Sequence, residues 1–263
     1  MEKNDQQQIE VLARRIASEG YDFIALQEVN QRLDTPLAKV DHYFQTTDNQ
    51  QQIHSDNFLF CLIQRLSELN CFYYWSWAFN HIGYDIYHEG IGLLSKTPME
   101  VSDHLLSESS DPKDYHTRRA IIGKTTVAHQ QLTVVSSHFS WWQTSETSFA
   151  YEWRTLERLL LETTGKLIVM GDFNSEAEKK GEGYELVAES PLRLKDSFLV
   201  AKSKTGEATV EEAIDGWDGN SAKLRIDFIW VSELFNVEKY VVVFDGKTDD
   251  TISDHYGIEA AVD

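Results

Sequence analysis

Seven polar residues are the ones whose types and placement could do chemistry: Glu28, His138, Asp172, Asn174, Asp227, Asp254 and His255. Four are carboxylates, the oxygen donors that suit a hard divalent cation such as Mg²⁺ or Mn²⁺. Two are imidazoles, the groups that exchange a proton near neutral pH. Taken singly, each is ordinary. A carboxylate at a strand end is commonly a surface or capping group, and a lone histidine is commonly structural. Their shared placement changes that. Each lies at the end of a predicted strand or just beside one, and strand ends of an α/β sheet converge on one rim. Four carboxylates gathered there would repel one another unless cations stood among them.

The elements that must position these residues follow from the apolar pattern. Ile9, Val11, Leu12 and Ile16 predict an opening helix that stops at Gly20. Phe23–Leu26 is a short buried strand ending at Gln27-Glu28, and a polar loop covers residues 30–55. Asp56 or Asn57 can cap a second helix with Leu59, Leu62, Ile63 and Leu66 inside. Strands are then predicted at Phe72–Phe79, Ile91–Ser95, Val101–Leu106, Arg119–Val127 and Leu132–His138. A third helix spans about Glu146 to Thr164, with Phe149, Trp153, Leu156 and Leu160 inward. Leu167–Gly171 is a strand, a helix is predicted near Tyr184–Glu189, and strands follow at Arg225–Val231, Tyr240–Phe244 and Gly257–Val262. With no repeat or Pro/Gly/Ser-rich linker, and only four prolines, residues 1–263 are expected to form one domain. Strands separated by a few helices predict an α/β or α+β sandwich of sheets covered by helices.

Composition limits the partners. Acidic residues outnumber basic ones, 43 to 24, for a formal net charge of -19. Such a surface repels nucleic acid and anionic membrane, so no stable binding to nucleic acid and no membrane partner is expected. Cys61 and Cys71 lie in no CxxC or Cys/His cluster, which argues against zinc and predicts two buried free thiols. Residues 1–20 are polar and charged, unlike a signal peptide. A cytoplasmic location is expected.

Five ordered motifs carry a resemblance. Gln27-Glu28-Val29, Ser136-Ser137-His138-Phe139, Gly171-Asp172-Phe173-Asn174, Arg225-Ile226-Asp227-Phe228-Ile229 and Ser253-Asp254-His255 resemble the successive motifs of the endonuclease/exonuclease/phosphatase superfamily, which includes DNase I. The resemblance covers nearly the whole chain. It implies a four-layer α/β sandwich: two packed, mainly antiparallel sheets flanked by helices. It also implies a phosphoester hydrolase that uses Mg²⁺ or Mn²⁺. By that resemblance Glu28 binds metal, and Asp254 is an additional carboxylate on the metal side. Asp172 orients or deprotonates the attacking water, and Asn174 supports the phosphate or the nucleophile. His255 sits beside the phosphate with Asp227 as its partner. His138 is the second active-site histidine, with Glu89 as its acidic partner. Arg118 and Arg119 are either phosphate contacts or ordinary strand-edge residues. One departure stands out. The family begins with a strand bearing an asparagine near the metal, whereas this sequence starts at the first helix, which implies either a start shortened relative to the natural gene product or a member that lacks the element.

Fold does not choose the ester. The acidic charge counts against a nuclease, and the lack of an obvious apolar hairpin counts against a sphingomyelinase-type phosphodiesterase. Trp141-Trp142 after His138, and Trp217 in an Asp- and Asn-containing loop, are either sugar-stacking faces or core residues. Across its length the sequence is most similar to the bacterial maltose 6′-phosphate phosphatases of that superfamily, notably in Gln27-Glu28-Val29-Asn30-Gln31 and Ser137-His138-Phe139-Ser140-Trp141-Trp142. The resemblance implies a small phosphorylated sugar as substrate. A nuclease- or sphingomyelinase-type phosphodiesterase, and a binding protein that has lost catalysis, are the alternatives.

Overall fold

Two β-layers packed face to face dominate the computed structural model, which describes residues 5–142, 148–211, 223–247 and 249–263. The elements run α1 (Asp5–Glu19), β1 (Phe23–Leu26), β2 (Gln31–Arg32), α2 (Phe58–Glu68), β3 (Tyr74–Gly83), β4 (Tyr87–Ser95) and β5 (Glu100–Leu105). They continue with β6 (Arg119–Val127), β7 (Gln130–His138), α3 (Ser148–Leu160), β8 (Lys166–Asp172), α4 (Gly183–Ala188), β9 (Leu194–Asp196) and α5 (Ser197–Val200). The last are β10 (Ser203–Thr205), β11 (Asp227–Ser232), β12 (Val237–Val243) and β13 (Gly257–Val262).

One layer is a six-stranded sheet in the order β5-β6-β7-β8-β11-β9. All its pairings are antiparallel except β7 with β8. The opposing layer comes in two pieces: β1, β2 and β3 around β4, and β10-β12-β13. β3 and β4 lie over β6, β1 lies over β7 and β8, and β13 lies over β11. The expected pair of sheets is therefore one continuous sheet facing a divided one. Ile91, Leu93, Ile121, Val134, Ile168 and Val231 fill the space between the layers. The amphipathic helices close the outside. α1 and α2 bury Ile9, Leu12, Ile16, Leu59, Leu62 and Leu66 on the divided layer, and α3 buries Phe149, Trp153 and Leu156 on the continuous sheet. Helix, sheet, sheet, helix is the four-layer sandwich expected from the sequence. No helix among the described residues is long and apolar enough to cross a membrane.

The local readings stand with small changes. α1 ends at Gly20, whose φ of +66° is a left-handed stop. Asn57 caps α2, accepting the Phe60 N–H at 3.1 Å. Asp56 instead accepts from the Arg32 N–H and the Thr35 hydroxyl, tying down the polar loop. The two cysteines are free but half-buried rather than buried. β2, β9, β10 and α5 were not expected, being two to four residues long and too short for a periodic signal.

Candidate active site

Three neighbouring strands of the continuous sheet end in one row. His138 pairs in register with Asp172, and Asp172 pairs in register with Asp227. Strands stand roughly 4.8 Å apart, so register alone brings an imidazole and two carboxylates side by side. Gly171 permits this approach: its φ is +148°, and a Cβ there would lie 1.9 Å from the Ser137 carbonyl oxygen. The chain then turns at Asn174, at φ +45°, a conformation that asparagine tolerates. The Asn174 N–H donates to Asp172 Oδ1 at 2.7 Å, and its side-chain amide donates to the Phe139 carbonyl at 2.9 Å.

His255 completes the row, with Nδ1 at 3.0 Å from Asp227 Oδ2 and 4.0 Å from Asp172 Oδ2. The ligand atoms of Asp172, Asp227 and His255 all lie within 4.8 Å of one another. Burial disfavours the charged His255 ring, but Asp227, Asp172 and Asp254 outweigh it and push it up to about 10. His255 is thus a cation that donates to anions. His138 has the opposite character. Burial, then the Arg118, His255 and His81 charges, hold it well below the usual imidazole range, so it is neutral. Its Nε2 lies 3.3 Å from the Asn174 amide and 3.5 Å from Asp172 Oδ2. Asp172 is raised by burial and by Asp227, with His255 and the Asn174 N–H opposing and Glu28 adding to the rise. Such a carboxylate is near neutral pH in its titration, where a general base works best.

The facing layer supplies a second set. Glu28 is exposed and holds φ +52°, a costly conformation for glutamate. Its charge raises both Asp172 and Glu89, so it stands near both. Glu89 is pushed up to about 7 by burial and then by Glu28, against the pull of Arg118. The resemblance made Glu89 the partner of His138, and the structure corrects this. Glu89 faces His81 at 3.6 Å and Arg118 at 3.8 Å, and Arg118 in turn reaches His138 Nδ1 at 3.5 Å. Arg118 is 3% exposed, and its Nε has no hydrogen-bond partner among the described residues. A buried guanidinium with its counter-charges at arm's length is suited to an anionic ligand.

Other expected residues fall elsewhere. Arg119 is bound to Asp103 of the neighbouring strand β5 at 2.8 Å. Asp254 is exposed and reaches the cluster through its charge on His255. Trp141 packs 6.3 Å from Tyr115 at the rim beyond His138, while Trp142 meets Phe149 edge-on and joins the core. Trp217 lies outside the described residues. Two residues were missed. His81 is turned toward Glu89 by an irregularity in β3 between Phe79 and His81, and a bulge leaves no periodic signal. Glu152 is fully buried on α3, and its place inside the stripe Phe149, Trp153, Leu156 was a readable sign.

The donor set fits a divalent cation. Asp172 and Asp227 offer oxygens within 4.8 Å of one another, and Glu28 lies near enough that its charge adds to the rise that burial and Asp227 give Asp172.

Residues 2–255 match the Endonuclease/Exonuclease/phosphatase family. No curated protein sequence matches the chain. An endonuclease/exonuclease/phosphatase family protein from Leptotrichia buccalis C-1013-b has 27% identity and a TM-score of 0.86, over 100% of this chain and 95% of its own. A mannosyl-6-phosphatase from Bacteroides thetaiotaomicron VPI-5482 has 17% identity and a TM-score of 0.67, over 98% and 91%. D. rerio TDP2, complexed with a single-strand DNA product, has 14% identity and a TM-score of 0.66, over 100% and 94%. The last two share the fold. The chain belongs to the endonuclease/exonuclease/phosphatase family of phosphoester hydrolases.

Proposed function

We propose that the protein is a divalent-metal-dependent phosphomonoesterase that releases phosphate from a phosphorylated sugar, maltose 6′-phosphate or a close relative. The observation that carries the reading is the cluster of Asp172, Asp227 and His255, joined through His138 to buried Arg118: His138 Nε2 lies 3.5 Å from Asp172 Oδ2 and its Nδ1 3.5 Å from Arg118. Asp172 takes the proton of a water as the water oxygen bonds to phosphorus and the ester P–O bond breaks. Asn174, Arg118 and charged His255 donate hydrogen bonds to the phosphoryl oxygens, where charge develops. Glu28, with Asp254, would hold Mg²⁺ or Mn²⁺, which would supply Lewis-acid stabilisation of the phosphoryl and leaving oxygens.

The choice of a small monoester over DNA rests on charge. A protein at -19 gains nothing from the counterion release that drives binding to a polyanion. The fold carries mannosyl-6-phosphatase activity in another protein, so it can accommodate a sugar phosphate. Half-buried Trp141 beside exposed Tyr115 offers an aromatic face at the rim for a sugar ring. The protein would act on a soluble intracellular sugar phosphate. The test compares maltose 6′-phosphate, mannose 6-phosphate, bis(p-nitrophenyl) phosphate and supercoiled plasmid in Mg²⁺, each with an EDTA control. Phosphate release from a sugar monoester supports the reading. Plasmid nicking or diester cleavage without monoester turnover overturns it.

A further inference from the structure

Glu152 has no part in the chemistry above, yet it is a carboxylate with none of its surface exposed, among Phe149, Trp153 and Leu156 of the core. Burying such a group is costly unless its acceptors are used. Both are used by one residue. Oε2 accepts the Ser140 N–H at 2.8 Å and Oε1 accepts the Ser140 hydroxyl at 2.7 Å. Burial still pushes Glu152 up to about 7, with those bonds and the Arg118 charge opposing.

The Ser140 N–H shares a peptide unit with the Phe139 carbonyl, and that carbonyl accepts the Asn174 side-chain amide at 2.9 Å. A peptide unit is planar, so fixing its N–H on one side fixes the aim of its C=O on the other. Phe139 is held at its other end too: its N–H donates to the Asp172 carbonyl at 2.9 Å, and its ring packs 5.3 Å from Phe149 and 4.8 Å from Phe173. The one carboxylate on α3 that contacts this turn thus sits two hydrogen bonds away from the Asn174 amide.

We propose that Glu152 is a positioning residue: through the Phe139–Ser140 peptide it sets the orientation of the Asn174 amide. The inference rests on the reading of Asn174 as a phosphate- or nucleophile-supporting group. Glutamine preserves the geometry, since its oxygen accepts the Ser140 N–H and its amide donates to the Ser140 hydroxyl. Aspartate keeps the charge but withdraws both acceptors by one methylene. Alanine removes them.

The experiment measures Glu152→Gln, Glu152→Asp and Glu152→Ala in two ways, after circular dichroism confirms folding. The first readout is the ¹H–¹⁵N resonance of the Asn174 side-chain amide, assigned by its loss in Asn174→Ala. The second is kcat and KM with p-nitrophenyl phosphate and Mg²⁺, in the wild-type and Asn174→Ala backgrounds. Glu152→Gln is expected to leave the amide resonances near their wild-type positions. Glu152→Asp is expected to move them and to lower kcat about tenfold with KM little changed, the mark of misplaced groups. On the Asn174→Ala background that loss disappears, because both changes act on one element. If Glu152→Ala does not fold, Glu152→Asp decides. The proposal is overturned if Glu152→Asp leaves the Asn174 amide unmoved, or costs as much on the Asn174→Ala background as on the wild type. No turnover by the wild type of either p-nitrophenyl phosphate or maltose 6′-phosphate would refute the phosphatase reading instead, and the amide resonance would still decide this one.

Discussion

The two halves of the site are built differently. On the continuous sheet, His138, Asp172 and Asp227 are locked by ladder register, and their charges are matched by His255 at 3.0 Å. On the divided layer, Glu28 is held in a left-handed turn, His81 is redirected by a strand irregularity, and Glu89 meets its facing cation only at 3.8 Å. In the proposed reaction the first half is the one preorganised for proton transfer and phosphate contact. The second adds the charge of Glu28, which raises both Asp172 in the first half and Glu89 in its own. Register fixes the first half, and local backbone irregularity shapes the second.

The largest effect that would break this contrast belongs to Asp172. Asp172→Asn keeps the shape of the side chain but cannot accept a proton, and turnover is expected to fall on the order of 10²–10⁴-fold. Because burial and Asp227 already disfavour the ionised form, the same variant is expected to melt no lower than the wild type in EDTA. Steady-state kinetics and calorimetry check the two halves of that statement. Near-normal turnover would remove Asp172 as the base.

Next in size is Glu28→Gln. It removes charge from the metal side alone, so the Mg²⁺ concentration for half-maximal rate should rise about tenfold or more, with kcat at saturating Mg²⁺ far less affected than in Asp172→Asn. A titration of rate against Mg²⁺ separates the two. An unchanged half-saturation would place Glu28 outside the metal site.

Glu89 gives a smaller, pH-dependent effect. Its folded value, about 7, lies above the ordinary glutamate value of about 4.3. Between these limits the folded state keeps a proton that the unfolded state has lost. The contribution of Glu89 to stability is therefore lost as pH rises from about 4 to 7. His255 runs the other way in window: its value of about 10 means stability present below about 6.5 and lost only as pH rises toward 10. In EDTA, Glu89→Gln should narrow the difference in Tm between pH 5 and pH 8, and added Mg²⁺ should narrow it in the wild type. Melting curves at the two pH values test this. An unaltered gap in Glu89→Gln would show that Glu89 is not the strained carboxylate.

The smallest effect on turnover should come from Arg119→Ala. Its loss leaves buried Asp103 with only its Asn49 donors, so stability should fall by more than the roughly 1 kcal/mol of a surface pair, but turnover should stay within about twofold, whereas Arg118→Ala should impair phosphate release strongly. Parallel assays of the two variants decide whether adjacent arginines divide the work as their partners imply.

That pair also shows what the sequence could reveal. The bounds of β1, β6 and β13 and the inward faces of α1, α2 and α3 follow from apolar spacing, and the row of His138, Asp172, Asp227 and His255 follows from polar residues at strand ends. Which of two consecutive arginines faces the row depends on strand register, a property of the partner strands rather than of the local pattern. The redirected His81 depends on an extra residue in β3, which period-2 reading skips. The division of the facing layer depends on which edges pair, and residues 30–55 gave too little periodicity to place β2. Glu152 was legible as a polar residue in an apolar stripe, though its partner Ser140 was not.

The most direct test of the central claim is phosphate release from maltose 6′-phosphate across a Mg²⁺ titration, begun from EDTA-treated protein and ended by adding EDTA again. The account requires release that is absent at the start, rises to saturation with Mg²⁺ and stops on chelation. Release that is indifferent to Mg²⁺ and to EDTA would contradict it.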